Sequence, residues 1–249
     1  MGEQIIFDNF SVSLKERVLY QNLNFAIEDR DRYIFLGPNG IGKSLLFELI
    51  FLGNSRELNS RYRNLTLSGR ILDVSGNDLL NPLTQRRIAY VTQVEDFYKG
   101  MTIREICETA CRGVGLDLND ERLDYYLDRF GRSEKKNIKI KNNLSFGEGK
   151  IVHVISRLLK LDAVNILLLD EPLNHLSFRN SKVLNDLIQE EIKRNPNLVI
   201  IMISHCRAMD FTNKAMVYNT KSRSIDIKPY KSYDCFSIDE YCEQNCDRA

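Results

Sequence analysis

Eight residues, GPNGIGKS at 37–44, constrain this chain most, because they dictate the backbone on both sides. YIFL at 33–36 leads into them and the mostly apolar SLLFELIFL at 44–52 leaves them, so a buried strand must turn directly into a buried helix. The pattern G-x-x-x-x-G-K-S describes a loop whose backbone N–H groups curl around phosphate oxygens, helped by the positive end of the helix it opens. The predicted nucleotide cradle is Gly37, Pro38, Asn39, Gly40, Ile41, Gly42, Lys43, Ser44 and Leu45. Within it Lys43 would neutralise the β and γ phosphates, and the Ser44 hydroxyl would ligate Mg²⁺.

A phosphate loop needs carboxylates, and ILLLDEP at 166–172 supplies two at the end of a short unbroken apolar run. Asp170 is suited to hold the metal, directly or through its waters, and Glu171 to polarise a water for attack on the γ-phosphate. A second unbroken run, LVIIMIS at 198–204, ends at His205, which can hold the attacking water in place. Runs of this kind are strands buried on both faces, which implies a parallel sheet covered by helices and an α/β fold.

The rest of the chain fits around that core. IIF, FSVSL and LNFAI predict three short strands before residue 30, RRIAYVTQ at 86–93 another strand, and 215–228 a closing antiparallel hairpin. Residues 53–85 read as irregular strands and loops. Residues 102–132 read as helical, with Ile103, Ile106, Cys107 and Ala110 on one face and Leu123, Tyr126, Leu127 and Phe130 on another helix. A lysine-rich segment at 133–143 reads as a solvated connector. It precedes a periodic helix carrying Ile151, Val154, Ile155, Leu158 and Leu159 on one stripe. Ser145 and Glu148 form an S-x-x-E capping box at the start of that helix, whose capped tip is an anion receptor.

Lysine plus arginine number 35 and aspartate plus glutamate 34, so no chain-wide charge points to nucleic acid or an acidic membrane. The longest apolar runs fall far short of the ~18–20 residues of a membrane span. MGEQIIFD lacks the charged and apolar regions of a secretory leader, and Ile6 stands where a myristoylation motif wants Ser or Thr. The six cysteines, with Cys107 and Cys111 at helical spacing and Cys235, Cys242 and Cys246 in the tail, read as reduced thiols of a cytoplasmic protein.

Four further features join the loop and the acidic pair: Gln93 ending RRIAYVTQ, LSFGE at 144–148, PLNHLS at 172–177, and His205. In this order the chain resembles the ATP-binding cassette (ABC) family, across roughly residues 4–228. The resemblance implies a phosphate-loop core with an antiparallel β subdomain and a helical subdomain inserted at about 95–160, so that 1–228 is one ATP-binding domain and 229–249 a tail. LSFGE is similar to the family signature LSGGQ. By that likeness Ser145, Gly147 and Glu148 complete the ATP site of an opposite cassette, in a homodimer or heterodimer. The resemblance assigns Glu171, His205 and Gln93 to catalysis and Ser44, Gln93 and Asp170 to Mg²⁺, and makes ATP the substrate. It implies an ATPase on the cytoplasmic face of a membrane, energising a separate integral membrane permease, with no direct nucleic-acid contact. The alternatives are a non-transport ATPase acting on ribosome or DNA, for which NHL at 174–176 speaks, and a degenerate cassette with little hydrolysis.

The sequence also departs from the family. Phe146 replaces a signature glycine and is strained there if the position needs positive φ. Glu148 replaces glutamine and adds negative charge near phosphate, and Ser177 stands where aspartate is usual. No aromatic occupies the adenine-stacking place, read at Leu14, so Phe10 or Tyr20 is the expected substitute.

Overall fold

The computed structural model describes residues 3–84, 87–93, 100–140, 144–204 and 209–230. The chain divides into two compact units, Met1–Arg86 with Asn197–Ala249, and Arg87–Pro196.

In the first unit, β1 (Glu3–Leu14) pairs antiparallel with β2 (Arg17–Glu28) on one side and β4 (Leu65–Asp73) on the other. The segments IIF and FSVSL are therefore one long strand. A register shift between Phe7 and Phe10 accommodates Asn9 at φ 48°, and the Asn24 side chain accepts from Asn9 N–H at 2.9 Å. Asparagine tolerates left-handed backbone and offers an amide to pair, so the strand bulges without ending. Next, β3 (Arg32–Leu36) runs parallel to β7 (Val199–Ile203) and to β8 (Lys214–Asn219), and β9 (Ser224–Pro229) closes antiparallel on β8. Every residue of β7 is buried, as its unbroken apolar run requires.

The first unit also holds α1 (Lys43–Leu52) and a helix the sequence reading missed, α2 (Arg56–Arg61). The segment that became α2 looked like loop because its turn residues dominate. Ser55 instead caps it, accepting from Leu58 N–H at 3.2 Å, and Leu58 is fully buried.

In the second unit, β5 (Ile88–Val91) pairs parallel with β6 (Ile166–Asp170). Around them lie α3 (Ile103–Arg112), α4 (Asp120–Arg129), α5 (Phe146–Leu158) and α6 (Phe178–Arg194). The buried stripe of α3 is Ile103, Cys107 and Cys111; Ile106 and Ala110 sit only partly buried beside it. Leu123, Tyr126, Leu127 and Phe130 are buried as their spacing predicts. Burial pushes the Cys107 thiol up to about 12 and also raises Cys111, so both are neutral thiols and pack as small apolar groups.

A buried polar cluster ties α4 to α6. The Arg122 guanidinium donates to Glu191 at 2.5 Å, to Asp162 at 3.0 Å and to the Leu158 carbonyl at 3.2 Å. Tyr126 donates its hydroxyl to the other Glu191 oxygen at 2.5 Å. Burial and then the Glu191 charge push the Tyr126 phenol above its ordinary range, which keeps it a donor. Charges this buried are tolerated only because each is paired several times. Glu191→Ala is expected to cost about 3–5 kcal/mol in urea denaturation, because it removes the buried anion that Arg122 and Tyr126 share. Arg122→Met with Glu191→Met should recover most of that loss. A single variant as stable as the parent would show that the pair is not structural.

Candidate functional site

The phosphate loop follows β3 directly. Gly37 sits at φ 155°, and a Cβ there would lie 2.7 Å from Ile41 Cδ1 and 2.9 Å from Tyr218 Cβ, so only glycine fits. Asn39 and Gly40 form an exposed apex, and Ile41 returns to the core at 4% exposure. Gly42 precedes α1 in left-handed conformation, and no side chain caps the helix or places an acid in its first turn. Lys43 is buried and donates to the Gly37 carbonyl at 2.6 Å and the Pro38 carbonyl at 2.9 Å, which folds its ammonium across the loop. Ser44 is half-buried and Leu45 buried behind it. An unblocked helix start with a lysine across the loop is chemically suited to an oligophosphate.

Phe10 and Tyr20, the expected substitutes for an adenine-stacking aromatic, are both fully buried. Phe10 packs its ring on Phe7, and Tyr20 meets Tyr218 edge-on at 5.6 Å. Both are core residues, because they occupy the inward positions of β1 and β2, and neither presents a ring face outward. Leu14, at the end of β1, is partly exposed.

In the second unit, β6 delivers Asp170 at 1% exposure, and the Tyr90 hydroxyl donates to its Oδ2 at 3.2 Å. Glu171 follows at φ 47°, left-handed, with its carboxylate accepting from the Asn174 side-chain amide. The tip of α5 packs against the loop after this acidic pair. A Cβ on Gly147 would stand 2.7 Å from the His175 carbonyl oxygen, and the Phe146 ring lies 5.3 Å from the His175 ring. The glycine is thus required by close backbone approach.

Phe146 is the first helical residue of α5 and has no positive φ. The expected strain at that position is absent, and the ring projects at 78% exposure. The capping box is present: the Ser145 hydroxyl accepts from Glu148 N–H at 3.3 Å, and Glu148 Oε2 accepts from Ser145 N–H at 3.3 Å. Ser177 caps α6, accepting from Asn180 N–H at 3.3 Å. Serine performs the cap as aspartate could.

Gln93 is exposed at a bend just beyond β5, and three basic side chains of α5 grip the backbone that leads to it. Arg157 donates to the Tyr90 carbonyl at 2.9 Å and Lys150 to the Thr92 carbonyl at 2.9 Å. His153 Nε2 accepts from Thr92 N–H at 3.2 Å. Sequence reasoning missed Lys150, His153, Arg157 and Tyr90, because nothing in a single sequence sets α5 and β6 beside β5. His205 lies outside the described residues, as do Cys235, Cys242 and Cys246. Among the described residues no group of three His, Cys, Asp or Glu could hold a metal.

A phosphate loop opening a helix, and a carboxylate pair ending a buried strand, define the class: a nucleotide-binding ATPase. The family profile described as ABC transporter matches residues 20–174, and the chain belongs to that family as an ATP-binding ATPase subunit. It is 28% identical over 209 residues to the ergothioneine transport ATP-binding protein EgtV of Helicobacter pylori (strain G27), covering 82% of this chain and 91% of that one. It is 26% identical over 228 residues to the cytochrome c biogenesis ATP-binding export protein CcmA of Reclinomonas americana, covering 90% and 94%. A solved structure described as the ATP binding subunit of an ABC transporter has the same fold, with a TM-score of 0.76 at 20% identity over 96% of this chain and 98% of that one.

The grip on Thr92 carries a pH signature. Desolvation first, then the Arg157 and Lys150 charges, push His153 from 6.5 down to about 3, so the folded protein keeps it neutral. Between those values the unfolded chain binds the extra proton, so stability falls as pH drops from about 6.5 toward 3. Urea unfolding at pH 7, 6 and 5 should show His153→Gln losing less stability than the parent, by up to ~1 kcal/mol per pH unit. Parallel profiles would refute a neutral buried imidazole.

Proposed function

We propose that this chain is the nucleotide-binding subunit of a membrane transporter, dimerising around ATP and driving a separately encoded permease. The observation that carries the reading is the α5 tip. It is capped, solvent-exposed at Phe146 and seated by Gly147 on the loop that follows the acidic pair. Such a tip suits an anion held mainly by another chain. The relatives named for transport and export support this over an ATPase of ribosome or DNA. The unstrained helical conformation at Phe146 and the intact capping box speak against a degenerate tip.

In this reading ATP lies between the Gly37–Leu45 loop of one cassette and the α5 tip of the other, where Ser145 and Gly147 receive the phosphate and Glu148 caps the helix. Lys43 leaves the Gly37 and Pro38 carbonyls for the β and γ phosphates. Ser44, Asp170 and Gln93 are hard oxygen donors of the kind Mg²⁺ prefers, and they are the residues that would hold it. When bound there, Mg²⁺ neutralises developing phosphate charge. Glu171 accepts the proton of the attacking water, and Gln93 and His205 orient that water. Loss of the γ-phosphate removes the anion joining the two faces, and the dimer opens. Among the described residues no helix is long and apolar enough to cross a membrane, so the reading assigns the membrane crossing to the permease, met from its cytoplasmic face.

Glu171→Gln is expected to abolish phosphate release, by at least about a hundredfold, while ATP still drives dimerisation in size-exclusion chromatography. Unchanged phosphate release in that variant would remove Glu171 as the base. Lys43→Ala should lose ATP affinity at least about tenfold in a fluorescent-nucleotide titration. From detergent extracts the tagged chain should carry a multi-span membrane protein; ribosomal proteins in its place would favour the alternative.

A further inference from the structure

Glu148 places a carboxylate at a helix tip that, on the functional reading above, must receive the partner's triphosphate. A bare carboxylate would oppose that approach, since like charges repel across several ångströms when partly desolvated. The structure shows what offsets it. Lys135 Nζ lies 2.5 Å from Glu148 Oε1, and Arg132 Nε lies 3.8 Å from the same oxygen. The other oxygen is turned back onto Ser145, accepting from its N–H at 3.3 Å and its hydroxyl at 3.0 Å. The Lys135 ion pair is the main cause that holds Glu148 below its ordinary range, so it remains charged and paired.

The lysine is positioned by a built turn. Ser133–Lys135 form a single 3₁₀ turn, in which Lys135 N–H donates to the Arg132 carbonyl at 3.0 Å and Ile138 N–H donates to the Lys135 carbonyl at 3.2 Å. The next residue pins the turn: Arg104 N–H donates to the Lys136 carbonyl at 3.1 Å, and Lys136 pairs with Asp120 at 2.9 Å and Asp124 at 2.7 Å. Lys136 is thus committed to α4 and Lys135 to Glu148. The segment read from sequence as a solvated connector is, at this point, a charge-bearing bracket.

We propose that Lys135 is a positioning residue for the nucleotide contact made across the dimer. It neutralises Glu148 and holds that side chain back in its capping role, leaving the Ser145–Gly147 tip open to phosphate. The proposal rests on the dimeric functional reading, and the test separates the two. In a Glu171→Gln parent, the ATP concentration giving half-maximal dimerisation is read by light scattering, with monomer ATP binding read by fluorescent nucleotide. Lys135→Met should raise the dimerisation value about tenfold without moving monomer binding. Adding Glu148→Gln should bring it back to within about twofold of the parent, a rescue that a purely structural lysine would not permit. Lys135→Arg should match the parent, and circular dichroism should show each variant folded. A Lys135→Met protein that dimerises like the parent, or a deficit that Glu148→Gln leaves in place, overturns the proposal while the dimer reading stands. A parent that never dimerises with ATP overturns the functional reading and this proposal with it.

Discussion

A strand buried on both faces has no place for polar side chains except at its end, and that constraint organises the whole molecule. The strand β3 is buried through Leu36 and releases the phosphate loop at Gly37. The strand β6 is buried throughout and releases Asp170 and Glu171, and β5 releases Gln93 two residues beyond its last paired position. The hydrophobic effect thus sorts the chemistry to one edge of each strand without any residue being selected for position alone. Helices then complete each edge: α1 starts inside the phosphate loop, and α5 brings its tip against the turn after the acidic pair.

The second unit shows how a polar device can be built inside such an apolar frame. From one helix, Lys150, His153 and Arg157 bond the backbone at 90–92, and the Tyr90 hydroxyl of β5 bonds Asp170. Lys150 is 1% exposed, so its ammonium is sustained by backbone oxygen in place of water. The α5 helix therefore connects the signature tip to the approach of Gln93 through directional bonds, and apolar packing of Ile151, Val154 and Ile155 fixes its orientation. Polar bonds along its length and a close backbone approach at Gly147 are what let one helix serve two places in the unit.

What the sequence made legible was local. The phosphate loop, the carboxylate pair, the capping box and the unbroken strands are written in consecutive residues with strong conformational demands, and all take the structure their chemistry predicts. Membership of the ABC family, read from the order of motifs, is shown by the profile match. What stayed hidden depends on contacts between distant segments. The Asn9–Asn24 pairing that makes two apparent strands one, the burial of Phe10 and Tyr20, and the bracket formed by Lys135 all require partners on another element, beyond the reach of local spacing. The condition set on Phe146, a need for positive φ, is not met: it is the first residue of the helix that Ser145 caps, and its φ is negative.

The left-handed backbone at Glu171 has a consequence for how this position can vary over time. At φ 47° a β-branched side chain meets its own carbonyl, whereas asparagine, aspartate and glycine sit there with little penalty. Drift at 171 is therefore channelled by geometry before chemistry is consulted: Val, Ile and Thr are shut out by the turn itself. On the proposed role of Glu171 as the base, a lineage that gave up hydrolysis would be expected to leave a short polar residue or glycine as its fossil there.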